Sequence, residues 1–219
     1  DNGYRTALIG KWHLGYLQKH HPMNFGFQKF VGFKSGNVDY QSHRNRYGDV
    51  DWWDGLEMKN MPGYTTTLLT TLSEDYIKEN KDKPFCLYIA HAAPHSPMQG
   101  PNEKAIRTEA TLEGDKNSDR PNKEIYKDMV EELDWSVGRI LETLKKYKLD
   151  KNTFVVFFSD NGPVINNGGS TGGYRGAKGA PWEGGHRVPG ICYMPGTVKG
   201  GTMCKQTVMS FDLFPTMLD

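Results

Sequence analysis

The chain has 219 residues, of which 37% are hydrophobic and 12% aromatic, enough to bury a sizeable core in one or two domains and to exclude a disordered segment. Its 27 basic and 26 acidic side chains leave a net charge of +1, so no global basic field points to nucleic acid. No apolar run approaches the roughly 20 residues of a membrane helix, and three cysteines at irregular spacing match neither a disulfide framework nor a zinc pattern.

Residues 6–9 form a short apolar run that ends at Gly10, a strand that hands Lys11 and His13 to a loop. Residues 16–63 are rich in Gly, Asn, Asp and aromatics, including Trp52 and Trp53, and predict irregular structure with short hairpins. Tyr64, Leu68, Leu69, Leu72, Tyr76 and Ile77 recur at helical spacing, which predicts an amphipathic helix over 64–80. Residues 85–90 (Phe-Cys-Leu-Tyr-Ile-Ala) are a continuous apolar run, the pattern of a parallel strand buried on both faces. A polar stretch over 109–122 reads as a surface loop. The clearest helix follows over 122–147, with Ile125, Met129, Leu133, Val137, Ile140 and Leu144 on one face and Asn122 as its N-cap candidate. Residues 153–158 predict a second buried strand, 188–194 a weaker third, and Asp212 starts a last helix to 218.

Helices alternating with buried strands predict an α/β layer fold with a mostly parallel central sheet flanked by helices. In such sheets ligands collect at the carboxyl ends of strands. Lys11 and His13, His95, and Asp160 with Asn161 each lie just after a predicted strand, so separate segments converge on one edge. Asp160 and Asn161 offer hard oxygen ligands for a cation, and Lys178, in a glycine-rich loop, offers positive charge to an oxyanion. Asp-Asn-Gly is most often a simple turn after a strand, and a lysine among glycines is often merely solvated. The two motifs together favour the binding reading, since the glycines let the backbone approach an anion closely.

Four motifs in order carry a resemblance. Residues 3–15, Gly-Tyr-Arg-Thr-Ala-Leu-Ile-Gly-Lys-Trp-His-Leu-Gly, come first, then Ala93-Pro94-His95-Ser96-Pro97, Ser159-Asp160-Asn161-Gly162 and Gly176-Ala177-Lys178-Gly179. This array resembles the formylglycine-dependent sulfatases of the alkaline-phosphatase-like superfamily. The resemblance implies a sulfuric ester hydrolase acting on a sulfated carbohydrate or aryl sulfate, with calcium, or magnesium in its place, held in part by Asp160 and Asn161. It implies that Lys11 and Lys178 contact the sulfate and that His13 hydrogen-bonds the hydrated formylglycine. His95 is then the group that contacts the sulfate or protonates the leaving alcohol. His91, four residues earlier, is the alternative, with a substrate-contacting or supporting role.

The family's nucleophile is a cysteine in a Cys-x-Pro/Ala-x-Arg motif, and the contexts of Cys86, Cys192 and Cys204 do not match it. Residues 1–219 are therefore expected to be part of a sulfatase catalytic domain, without the upstream nucleophile and metal-binding aspartates and without the C-terminal subdomain. Alone they are expected to be inactive. A formylglycine-generating enzyme is the implied partner of the whole protein, whose relatives are periplasmic, secreted or lysosomal. Two rival readings are a phosphatase or phosphonate hydrolase of the same superfamily and a non-catalytic sulfated-glycan-binding relic. Glu183 and Arg187 are expected to form an internal ion pair that fixes the Lys178 loop. Trp52 and Trp53 are read as core cover rather than a sugar platform. His20, His21 and His43 are read as surface residues or, less favoured, pocket walls.

Overall fold

The computed structural model describes residues 3–109 and 119–218. Strand β1 (Arg5–Lys11) lies inside the larger sheet, between two parallel neighbours, with Ala7, Leu8 and Ile9 fully buried. It pairs in parallel with β2 (Lys29–Phe33) on one side and with β5 (Phe85–Ala90) on the other. A small antiparallel hairpin, β3 (Trp53–Asp54) and β4 (Glu57–Met58), extends the sheet beyond β2 and gives the order β4-β3-β2-β1-β5. The architecture is α/β, and the sheet is mixed: the expected parallel arrangement holds for β2, β1 and β5. Gly10 faces Gly32 and Ala90 across the ladder, and a methyl on Gly10 would stand 2.1 Å from the Ala90 carbonyl oxygen. Only glycine allows the strands to close that tightly where the chain turns toward Lys11.

Two helices cover one face. In α1 (Thr65–Glu79) the buried stripe is Thr65, Thr66, Leu69, Thr70, Ser73, Tyr76 and Ile77. Two hydroxyls on that stripe bond back to the preceding turn, Thr70 Oγ1 to Thr66 O at 2.7 Å and Ser73 Oγ to Leu69 O at 2.7 Å, while Thr65 Oγ1 donates to Tyr40 O (3.0 Å) and Thr66 Oγ1 has no partner among the described residues. The 25-residue α2 (Asn122–Lys146) buries Ile125, Met129, Ser136, Ile140, Thr143 and Leu144 against α1 and the sheet. Both expected helices are therefore present. Asn122 is the first residue of α2 rather than its cap, because Pro121 takes the N-cap position. Most of the expected surface loop over 109–122 lies outside the described residues.

The core joins Ile9 and Phe33 from the sheet to Trp52, Tyr40 and Tyr64 beneath α1 and α2. Each such side chain contributes about 1.5–3 kcal/mol on full burial. His21 and His43 correct the surface expectation, at 1% and 0% exposure. His21 packs edge-on against Phe30 at 5.3 Å, while His43 reaches Asn60 Oδ1 and the Gly63 carbonyl and lies 4.3 Å from the Trp52 ring.

The strands expected at 153–158 and 188–194 form a separate antiparallel pair, β6 (Val155–Phe158) with β7 (Gly190–Tyr193). They are not the buried strands the apolar runs predict: β6 is half-buried and β7 exposed. Val155 shares a cluster with Ile140 and Leu144 of α2 and with Phe85, Leu87 and Ile89 of β5, so both sheets rest on the same helix layer. The short helices α3 (Glu183–His186) and α4 (Leu213–Leu218) complete the described chain, with α4 close to the expected last helix. Among the described residues no helix is long and apolar enough to cross a membrane.

Candidate active site

Pairing between β1 and β2 continues past the strands, with Trp12 N donating to Phe33 O (2.9 Å) and His13 N to Lys34 O (3.2 Å). Trp12 anchors this turn through Nε1 to His20 O (2.7 Å) and ring contacts with Phe25 and Phe27. His13 is exposed at the tip with φ 57°, a left-handed conformation that costs a non-glycine residue roughly 1–2 kcal/mol. Its ring packs on Gly36, where an added methyl would come within 2.6 Å of His13 Nε2. Position 36 has no room for a side chain while His13 stays where it is.

His95 follows β5 in a turn fixed by its own N–H to Ala92 O (2.8 Å) and by Tyr40 OH, which donates to His95 O (2.9 Å). Its Nδ1 lies 2.8 Å from the Ser96 carbonyl oxygen. A carbonyl can only accept, so the proton sits on Nδ1 and Nε2 carries the free lone pair. Half-buried His91 faces the other way: Nε2 meets Ser136 Oγ at 3.1 Å, and Nδ1 is sealed from solvent without a partner among the described residues. Burial pushes the His91 imidazole down to about 4.

Beyond β6, Ser159 Oγ donates to Asn161 O (3.0 Å) and shapes the turn that presents Asp160 and Asn161. Asn161 Nδ2 donates to Gly162 O (3.0 Å), which leaves the amide oxygen unused. The exposed Asp160 carboxylate accepts no hydrogen bond among the described residues. Lys178 is tied to the same turn, Lys178 N to Pro163 O at 3.0 Å, while Gly162 N donates to Gly185 O (2.8 Å) and Gly184 N to Arg175 O (2.8 Å). The Glu183–Arg187 pair is present at 2.9 Å but exposed, not internal, and Arg187 also covers the Tyr174 ring.

Electrostatics bring these segments together. Burial lowers the Lys11 ammonium, Asp160 raises it and Lys178 lowers it further. Desolvation lowers the His13 imidazole, helped by Lys11 and Lys178 and opposed by Asp160. Burial lowers His95 too; its bond to Ser96 opposes that, Lys178 and Lys11 add to it, and Asp160 raises it. Charges more than roughly 10 Å apart are largely screened, so Lys11, His13, His95, Asp160 and Lys178 share one neighbourhood. Desolvation alone shifts the His91 ring, whose Nε2 is engaged by Ser136. Among the described residues no three His, Cys, Asp or Glu side chains gather as a metal shell, so Asp160 and Asn161 supply at most part of one. The sequence reading misses Lys34, which directly follows β2, while Lys11 is the last residue of β1. Recognising Phe30, Val31 and Phe33 as a buried strand is the signal that finds it.

Known proteins place this geometry in a family. The sulfatase family model matches residues 1–219. Mouse arylsulfatase J is 33% identical over 99% of this chain and 36% of its own length. Human N-acetylgalactosamine-6-sulfatase is also 33% identical, over 99% of this chain and 42% of its own length. The chain thus spans about two fifths of the curated relatives it matches. Among solved structures, Ps i-CgsB in complex with k-i-k-neocarrahexaose superposes with a TM-score of 0.83 at 30% identity, covering 98% of this chain and 50% of that one. YidJ of Bacteroides fragilis shares the fold, with a TM-score of 0.70 at 22% identity. A match over the full chain settles the assignment: the chain belongs to the sulfatase family.

Proposed function

We propose that the protein carrying this chain is a sulfuric ester hydrolase that releases inorganic sulfate from a sulfated carbohydrate or aryl sulfate. The observation that carries this reading is the clustering of Lys11, Lys178, His13 and His95 around Asp160. Negative charge spreads over the sulfuryl oxygens as the bond to the leaving group weakens, and fixed cations stabilise it better than water does. Lys11, half-buried, and Lys178, on its tethered loop, are the two cations that face that charge.

His95 is the leaving-group acid in this reading. Its Nδ1–H is held by Ser96 O, so Nε2 is the position that takes up the second proton of the imidazolium and delivers it to the leaving oxygen. His13, exposed at its tip, would in this reading exchange a proton with the nucleophile's oxygen. Asp160 and Asn161 fit a calcium site by the chemistry of their donors: one carboxylate and one amide oxygen, neither used elsewhere among the described residues. Calcium, or magnesium in its place, polarises the sulfate and lowers the pKa of an oxygen nucleophile when bound. The other ligands and the formylglycine, made by a formylglycine-generating enzyme, come in this reading from sequence outside these 219 residues. Cys86 pairs with Thr6 well below the active edge and Cys192 faces Val156, so neither stands in for the nucleophile.

Turnover of 4-nitrophenyl sulfate tests the proposal. The protein with its upstream sequence is expected to hydrolyse it, and residues 1–219 alone are not. Hydrolysis of 4-nitrophenyl phosphate in preference to the sulfate, or tight sulfate binding without turnover, overturns it.

A further inference from the structure

A concave site lies next to the segment that carries His13. A cleft of about 670 Å³ is lined by Tyr16, Lys34, Arg44, Asp49, Asp51 and Trp53, among others. That volume falls within the roughly 300–1,000 Å³ of small-molecule sites. It adjoins the segment that carries His13: Lys34, in its lining, accepts from His13 N through its carbonyl (3.2 Å), and Tyr16, also in the lining, follows His13 by three residues.

The chemistry of the lining selects a ligand. Lys34 is 6% exposed, with its ammonium 3.4 Å from the centre of the Trp53 ring and one long hydrogen bond, 3.4 Å, to Tyr16 O. An ammonium has three donors, and among the described residues Lys34 makes no ion pair, so donor capacity is left in the cleft. Asp51 opposes the desolvation of this ammonium through its charge but makes no ion pair with it, its oxygens accepting instead from Lys34 N (3.1 Å), Ser35 N (2.8 Å) and Trp53 Nε1 (2.8 Å). Arg44 is occupied by Glu109 Oε1 (2.9 Å) and Gly48 O. What remains is a buried cation, the exposed Asp49 carboxylate, and Tyr16, 58% exposed, as an aromatic wall. A hydroxyl can accept from Lys34 and donate to Asp49, whereas an anion would meet one of the two unfavourably.

We propose that this cleft is a subsite for a neutral, hydroxyl-rich sugar ring, the neighbour of the sulfated ring in an oligosaccharide substrate. Lys34 donates to a ring hydroxyl, Asp49 accepts from one, and Tyr16 covers an apolar ring face. The inference rests on the hydrolase reading, and it defines that enzyme's substrate as an oligosaccharide rather than a lone sulfate ester.

The experiment uses the protein with its upstream sequence and two neutral probes, desulfated neocarrahexaose and an N-acetylgalactosamine-containing disaccharide. Calorimetric titration is expected to show binding of at least one probe to the unmodified protein, with Kd of about 1 mM. Tyr16→Ala, at an exposed position that leaves the core intact, and Lys34→Met are each expected to weaken it about tenfold. Absence of binding, or variants within twofold of the parent, overturns the subsite. So does loss of inorganic sulfate binding in Lys34→Met with sugar binding unchanged, which makes the cleft an anion site. Turnover of 4-nitrophenyl sulfate is read separately: sugar binding without turnover rejects the hydrolase reading and leaves the subsite standing.

Discussion

Gly162 is where the turn bearing Asp160 and Asn161 meets the loop bearing Lys178, and Gly162→Ala tests that junction. A methyl there would sit 1.9 Å from Gly184 O, 2.9 Å from the Gly184 carbonyl carbon and 3.0 Å from Gly185 Cα. These are backbone atoms with no rotamer to swing away. Restoring an ordinary contact of 3.4 Å requires a displacement of roughly 1.5 Å and breaks the Gly162 N to Gly185 O bond. Overpacking of this kind costs about 1–3 kcal/mol and the lost bond about 1 kcal/mol more. A domain with ~5–15 kcal/mol of stability still folds. Misplacement of catalytic groups by about 1 Å costs up to 100-fold in rate. In the protein with its upstream sequence, kcat for 4-nitrophenyl sulfate is expected to fall about 100-fold while the variant keeps a cooperative melt. Gly179→Ala is the contrast. That residue, unlike Gly162, has a positive φ (84°) and nothing within 4 Å, so its effect is limited to backbone strain of about 1 kcal/mol. A Gly162→Ala variant within twofold of the parent refutes the argument that this contact aligns the two motifs.

Asp39 is fully buried and accepts from Gln41 N, Ser42 N, Gln99 Nε2, Ile106 N and Arg107 N, which ties the 39–43 turn to the segment after His95. Asp39→Asn sets an amide against backbone donors and is expected to cost about 3 kcal/mol in a denaturant midpoint. Those bonds also hold the Asp39 carboxyl below its usual range against desolvation. Their stability is present above the unfolded carboxylate range and lost as pH falls through the lower folded value. His91 works in a higher window: with a folded value of about 4 against 6.5, protonation favours unfolding. Its contribution is complete above pH 6.5 and declines toward pH 4, by about 3 kcal/mol in all. His91→Gln is expected to flatten the dependence of melting temperature on pH between those limits, and an unchanged profile contradicts it. Stripping divalent metal from the protein with its upstream sequence and restoring calcium at 100-fold over Kd is expected to add about 2.7 kcal/mol. Asp160→Ala should abolish that gain, read as a thermal shift; an equal gain in the variant removes Asp160 from the metal site.

Helical periodicity fixes α1 and α2 almost residue for residue, because their stripes of Leu, Ile and Thr repeat at 3.6 residues against the core. Strand β2 escapes notice since Lys29, Gly32 and a loop rich in aromatics mask its short apolar run, and with it goes Lys34. Burial of His21 and His43 is invisible in sequence: a polar ring in a Gly/Asp-rich stretch reads as surface, and only the tertiary packing of Trp52, Trp53 and Phe30 encloses them. The apolar runs at 153–158 and 188–194 predict buried strands, yet among the described residues each of β6 and β7 has the other as its single strand neighbour. Lys11, His13, His95 and Asp160 are marked by their position after apolar runs, and the electrostatic coupling among them depends on that placement.

A double-mutant cycle on Lys11→Ala and Lys178→Ala, read as kcat/KM for 4-nitrophenyl sulfate in the protein with its upstream sequence, bears on the site most directly. Two cations that face the same sulfuryl charge should be coupled by about 1 kcal/mol or more. Losses that add to within roughly 0.3–0.5 kcal/mol, or single variants with no loss, would show that the two lysines do not serve one transition state.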